Sequence, residues 1–205
     1  MSREYRKYRF LYFVSSITIR LLYGVRPSGR ENIPQGAALF CANHSNWADP
    51  FLMAFALGKE NFVHFIAKVE LFKNKLLAAF VRAAGAFPVD RSKADLQAVR
   101  TTMKLLRSGE KVGIFPEGTR ADTDDAVEAK IGAIKFAEKT GAPIVPVYIP
   151  RKKRLFSRVP VTIGEAYYVN PEKKKLSPED YAREARQMME RIHALRGEDQ
   201  QPHGN

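Results

Sequence analysis

Short apolar runs alternate with amphipathic stretches along most of the chain. The runs Ala37–Ala42, Phe62–Ala67, Lys111–Phe115 and Ile144–Ile149 predict buried strands, with Ala86–Val89 and Val161–Ile163 as weaker candidates. Leu96, Val99, Met103 and Leu106 recur at helical steps, which predicts a helix with these four on its packed face and a capping box from Ser92 and Asp95. Ser177-Pro178-Glu179-Asp180 is a helix-start signal with proline in the first turn. Tyr181, Ala185, Met188, Ile192 and Leu195 then mark one face of a closing helix. Gly197–Asn205 carries no large apolar side chain and reads as a flexible tail.

Strand–helix alternation of this kind predicts an α/β fold: a three-layer domain over residues 28–196, with a largely parallel central sheet flanked by helices. Sites in such sheets gather beyond the carboxyl ends of the strands, so polar residues directly after an apolar run are the candidates to weigh. Ahead of the domain, Phe10–Ile19 lies between Arg9 and Arg20 and falls short of the ~20 apolar residues a spanning helix needs. No small-residue cleavage site follows it, so it is not read as a signal peptide. Arg3, Arg6, Lys7 and Arg9 beside Tyr5, Tyr8, Phe10, Tyr12 and Phe13 suit an amphipathic helix over residues 1–27 lying in a headgroup layer. A soluble amphipathic helix packed on the domain is the alternative.

Charge changes the picture more than composition does. Thirty-four Lys and Arg against 22 Asp and Glu give a net charge of +12, which favours a polyanionic partner: nucleic acid, an anionic membrane surface or a phosphorylated substrate. No RNA-binding signature accompanies it. The single cysteine, Cys41, excludes an intrachain disulfide and reads as a small buried hydrophobe. Arg151-Lys152-Lys153-Arg154 reads by default as a solvated loop, with contact to anionic lipid or phosphate as the alternative.

Three candidate motifs obey the strand-end rule. His44, in Asn43-His44-Ser45-Asn46-Trp47-Ala48-Asp49-Pro50, follows the first strong run; a tight turn there folds Asp49 back on the imidazole, fixing its tautomer and leaving the other nitrogen as a base. Alone this pattern is weak, since a strand-end histidine is more often structural. Phe115-Pro116-Glu117-Gly118-Thr119-Arg120 offers a turn with an acceptor, a hydroxyl and a guanidinium fork suited to phosphate. Lys68 and Arg91 follow the second strong run and the Ala86–Val89 candidate. Cations at successive strand ends together suit a phosphorylated substrate.

In this order and spacing, the segments His44 to Asp49, Gly85 to Arg91, Phe115 to Arg120 and Ile144-Val145-Pro146-Val147 resemble the 1-acylglycerol-3-phosphate (lysophosphatidate) acyltransferase family, over roughly residues 30–150. The resemblance implies His44 as general base aimed by Asp49, and acceptor binding by Lys68, Arg91, Glu117, Gly118, Thr119 and Arg120. Val145 and Pro146 fall in the acyl-donor region. It further implies lysophosphatidate and an acyl thioester (acyl-CoA or acyl-carrier protein) as substrates, with no cofactor and no metal. A peripheral or monotopic place on the cytoplasmic face of an anionic membrane is expected, and no nucleic-acid partner. Two departures stand out: Lys73-Asn74-Lys75 where the family often has proline, and Ala121 to Asp125 where relatives often have Ser and Gly. The competing expectations are an acyltransferase for another lysophospholipid or an amino-acyl lysolipid, a non-catalytic basic membrane- or RNA-binding protein, and a metal hydrolase built on His44, Asp49 and His64.

Overall fold

The computed structural model describes Tyr12, Ile17, Ile19 and residues 21–90, 95–123 and 129–197; most of the N-terminal segment, Ser92, Arg91 and the tail from residue 198 lie outside the described residues. The elements are β1 (Tyr23–Ser28), β2 (Ala38–Ala42), α1 (Asp49–Leu57), β3 (Val63–Lys68), α2 (Lys75–Ala83), β4 (Ala86–Val89), α3 (Leu96–Arg107), β5 (Lys111–Ile114), α4 (Gly132–Thr140), β6 (Ile144–Tyr148), β7 (Ser157–Ile163) and α5 (Pro178–Ala194). They form a sheet of order β1-β7-β6-β2-β5-β3-β4. β2 to β6 run parallel, β7 pairs antiparallel with β6, and β1 runs parallel to β7.

β2 shows why the sheet is covered on both faces. Ala38, Phe40 and Ala42 point to one side, packing with Leu52, Met53, Ala56 and Leu57 of α1. Leu39 and Cys41 point to the other, against Leu106, Ile134, Met188 and Ile192 of α3, α4 and α5. All five β2 residues are buried, as expected of a central strand in a three-layer fold. Truncating Phe40 or Leu39 to alanine removes ~2–5 kcal/mol of packing.

The strong apolar runs match strands to within a residue at each end. The expected bounds of the N-terminal helix (1–27) and of the domain (from 28) are corrected: Tyr23–Ser28 is strand β1 of the sheet, where Gly24, Arg26 and Pro27 weaken the pattern and are tolerable because β1 is the outer strand. Pro146 lies in an inner strand. Its carbonyl accepts from Gly164 N–H at 2.8 Å, just past the last β7 residue, so the proline stands at the end of the β6–β7 pairing, where at most the terminal bond of that ladder is forgone.

Two helix expectations are corrected. α3 buries Ala98, Thr102 and Leu106, whereas Leu96 is 63% and Val99 40% exposed, so the packed face is rotated towards smaller side chains. Its N-cap is Asp95 itself, whose carboxylate accepts from Ala98 N–H at 3.0 Å. In α5 the Ser177–Asp180 capping box is present, and Ala185, Met188 and Ile192 are buried.

Candidate active site

The carboxyl ends of β2, β3, β5 and β6 meet on one edge of the sheet, and the loops leaving them build the site. After β2 the chain turns sharply. Asn46 Oδ1 accepts from Ala48 N–H at 3.0 Å, and α1 begins at Asp49 with Pro50 beside it in the first turn. The turn brings Asp49 Oδ2 to 3.0 Å from His44 Nδ1. The same oxygen accepts from the amides of Ser45 and Asn46, each at 2.7 Å. Asp49 is fully buried at a helix N-terminus, a position that favours a negative charge.

Burial pushes the Asp49 carboxyl upward, but the hydrogen bond from His44, the Lys153 ammonium and the Ser45 amide outweigh it and hold the group below its ordinary range. Asp49 therefore stays ionised, and a carboxylate on Nδ1 leaves Nε2 as the nitrogen available for proton transfer. The imidazole stacks on Phe115, with ring centroids 4.2 Å apart, and keeps 12% of its side chain exposed to the adjoining pocket.

Lys153 forms an ion pair with the second Asp49 oxygen at 2.8 Å and also reaches Ser45 Oγ at 2.8 Å and the Pro150 carbonyl at 2.6 Å. Its side chain is completely buried. Arg151, two residues earlier, pairs with the buried Glu117 carboxylate and donates to the carbonyls of His44 and Ala121 at 3.1 and 2.9 Å. The solvated-loop expectation for the basic run is therefore corrected at both residues. Each cation turns inward because a buried carboxylate beyond a neighbouring strand end needs a counter-charge. The missed signal was position: the run follows β6 directly, on the same edge as the other candidates.

Glu117 is 1% exposed, and its Oε2 also accepts from His44 N–H at 3.3 Å. It braces the His44 backbone from behind. Gly118 takes φ +71°, a left-handed conformation that residues with a Cβ rarely adopt, so this turn favours glycine. Beyond it, Thr119 and Arg120 are exposed and line the pocket. Among the described residues no carboxylate pairs with Arg120. Lys68 lines the same pocket, paired with Glu70 at 3.2 Å. Arg91 lies outside the described residues. Val145 and Pro146 are buried within β6 and do not line the pocket.

The pocket has a volume of about 620 Å³. His44 and the cations Lys68 and Arg120 stand among a lining otherwise dominated by Trp47, Phe51, Phe65, Ile66, Phe80, Phe115 and smaller apolar groups. A proton acceptor, two cations and a long apolar wall suit a molecule with an anionic head and a hydrocarbon body. His64 lies elsewhere: it pairs with Val112 near the amino end of β5, its ring against Phe62 and its Nε2 3.7 Å from Glu110. The His44, Asp49 and His64 metal constellation is thereby overturned. Cys41 is buried in β2, and burial pushes its thiol up, away from nucleophilic use.

The structure is thus an α/β domain with a His–Asp pair beside a largely apolar pocket at its strand ends. The acyltransferase family model matches residues 24–150, and the chain belongs to that family. A 1-acyl-sn-glycerol-3-phosphate acyltransferase of Bacillus subtilis (strain 168) is 37% identical over 140 residues, covering 68% of this chain and 69% of that protein. Its namesake from Streptococcus pneumoniae (strain ATCC BAA-255 / R6) is 30% identical over 145 residues, covering 67% of this chain and 53% of the other. The crystal structure of the 1-acyl-sn-glycerophosphate (LPA) acyltransferase PlsC from Thermotoga maritima shares the fold, with a TM-score of 0.70 over 91% of this chain and 77% of that one at 24% identity.

Proposed function

We propose that this enzyme transfers an acyl group from a thioester, acyl-CoA or acyl-carrier protein, to the sn-2 hydroxyl of 1-acylglycerol-3-phosphate, forming phosphatidate. The observation that carries it is the juxtaposition of the His44–Asp49 pair with an apolar pocket edged by Lys68 and Arg120. The relatives named above support the choice of acceptor.

His44 Nε2 takes the proton of the acceptor hydroxyl as its oxygen attacks the thioester carbonyl. Asp49 holds the resulting imidazolium through Nδ1–H. The tetrahedral intermediate collapses by breaking the C–S bond, and the departing thiolate recovers the proton from the imidazolium. Lys68, Arg120 and Arg91 are assigned to the acceptor phosphate, which two or three cations neutralise and orient. Gly118 and Thr119 shape the turn that presents Arg120. Glu117 serves acceptor positioning indirectly, by holding the His44 backbone with Arg151. The apolar wall takes the acyl chain. The active face works against a membrane, because substrate and product are both bilayer lipids; its cytoplasmic side follows from the thioester donor.

The test is thiol release from acyl-CoA and acyl-carrier protein against a panel of lysolipids. His44→Ala is expected to lower kcat by at least the ~10²–10⁴-fold a positioned base supplies, and Asp49→Asn by a similar order. Undiminished turnover by His44→Ala would falsify the assignment. Preference for a different lysolipid would transfer the same chemistry to that acceptor.

A further inference from the structure

We infer that α2 and the turn before it form a lipid-contact face that seats the pocket mouth on an anionic bilayer, a proposal that rests on the lipid substrate assigned above. α2 runs over Lys75–Ala83, and Asn74 caps it by accepting from the amides of Leu76 and Leu77. The cap stands in the segment where the sequence departs from the family's usual proline. A capped helix is expected to lay its apolar side on the core, yet only Ala78 is buried. Leu76 is 84% exposed, and Leu77 and Phe80 are each 40% exposed. Spaced one and four apart, these side chains share one side of the helix.

The patch does not stop at α2. The Phe80 ring lies 6.4 Å from Phe51, which in turn lies 6.5 Å from Trp47, itself 63% exposed. Leu71, 40% exposed, flanks it. Trp47, Phe51, Leu71 and Phe80 all line the pocket, so the exposed apolar surface is continuous with its entrance. Contiguous apolar surface of this kind marks an interaction site, unlike scattered leucines.

Charge selects the occupant. Lys73, Lys75 and Arg82 are exposed beside the patch, and Glu70, paired with Lys68, is the sole carboxylate from Lys68 to Val89. Protruding leucines and aromatics rimmed by cations fit the boundary between acyl chains and anionic headgroups. An acidic carrier protein would satisfy the cations too, but an 84% exposed Leu76 contiguous with the mouth of a pocket suited to a hydrocarbon chain favours the bilayer. With this face in the headgroup layer, a lysolipid passes its chain into the pocket without crossing water, and its phosphate stays level with Lys68 and Arg120.

The experiment is co-sedimentation of the full chain with phosphatidylcholine vesicles, with and without phosphatidylglycerol, alongside acyl transfer to a short-chain, water-soluble acceptor. Leu76 and Leu77 do not line the pocket. The double variant Leu76→Gln/Leu77→Gln is expected to lower vesicle partition about tenfold while leaving soluble-acceptor turnover unchanged. Lys73→Gln/Lys75→Gln is expected to abolish most of the gain from phosphatidylglycerol, and it decides the matter alone should the leucine variant fail to fold. Wild-type partition by a folded leucine variant, or undiminished phosphatidylglycerol dependence in the lysine variant, overturns the lipid face. So does loss of acyl-carrier protein binding with vesicle partition intact, which would make this a protein-docking surface. Absence of turnover in the wild-type chain overturns the acyl-transfer assignment instead, and the two failures are read from separate measurements.

Discussion

Lys153 shows how much can hang on one side chain. It places a full positive charge, wholly buried, on the far oxygen of the carboxylate that aims His44. Burial lowers the Lys153 proton affinity, and Asp49 opposes that effect, so neither member is comfortable without the other. Lys153→Met is expected to cost ~3–5 kcal/mol in chemical denaturation, because it leaves Asp49 buried without its cation. A double variant, Lys153→Met with Asp49→Asn, should recover much of that loss while remaining inactive; if the two losses simply add, the pair is not coupled. The pH dependence follows the same logic. Asp49 is held below its ordinary range, so its stabilising contribution is complete above the ordinary carboxyl value near ~3.9 and is lost as pH falls through the folded value. Removing Lys153 raises that folded value, so acid unfolding of Lys153→Met should begin at higher pH than in the wild type. In kinetics a positioning role should appear mainly in kcat, with the acceptor KM little changed.

Asn43 performs a comparable task between elements. Fully buried at the end of β2, it donates from Nδ2 to the Ile149 carbonyl at 2.7 Å and accepts at Oδ1 from the Ile149 N–H at 2.8 Å. The amide thus extends the pairing of β2 with β6 by one side chain and ties the His44 turn to the loop carrying Arg151 and Lys153. Asn43→Ala strands both backbone groups of Ile149, at ~1–3 kcal/mol for each. Thermal or urea melts should show that loss together with a fall in kcat; a variant with wild-type stability would deny the clamp. This bridge also marks where the sequence became hard to read. Inner strands such as β2, β5 and β6 were legible because burial on both faces forces continuous apolar runs. The His44–Asp49 turn was legible through the strand-end rule. β1 was not, since an outer strand tolerates Gly24, Arg26 and Pro27. Nor were the inward turns of Arg151 and Lys153, because local composition records that a loop is basic but not that two buried carboxylates, one at the start of α1 and one in the turn after β5, await it. The rotated face of α3 was hidden for a similar reason: periodicity weights Leu96 and Val99 by size, whereas packing selected Ala98 and Thr102.

At the scale of the whole molecule, topology and charge act together. With β2 to β6 parallel, their carboxyl ends, and so the loops bearing His44, Lys68, Glu117 and Arg151, open on one edge. Two cations on that edge are already committed, Arg151 to Glu117 and Lys153 to Asp49. Lys68, in an exposed ion pair with Glu70, and Arg120 stand at the pocket rim, backed by a net charge of +12 over the chain. Fields of this kind draw an anionic substrate towards a cleft, and salt weakens them as the screening length falls from ~10 Å at 0.1 M to ~3 Å at 1 M. For a short-chain soluble lysophosphatidate, kcat/KM is therefore expected to fall several-fold between ~0.05 and ~0.5 M KCl. A monoacylglycerol of the same chain length, lacking the phosphate, should be a poor acceptor whose kcat/KM hardly responds to salt. Substituting Arg120 by Gln should flatten the salt dependence for lysophosphatidate towards that of the neutral analogue, because it removes a rim cation without disturbing the buried pairs. Equal salt slopes for the two acceptors in the wild type would mean that the phosphate is not held by this edge, and the cations of the rim would need another explanation.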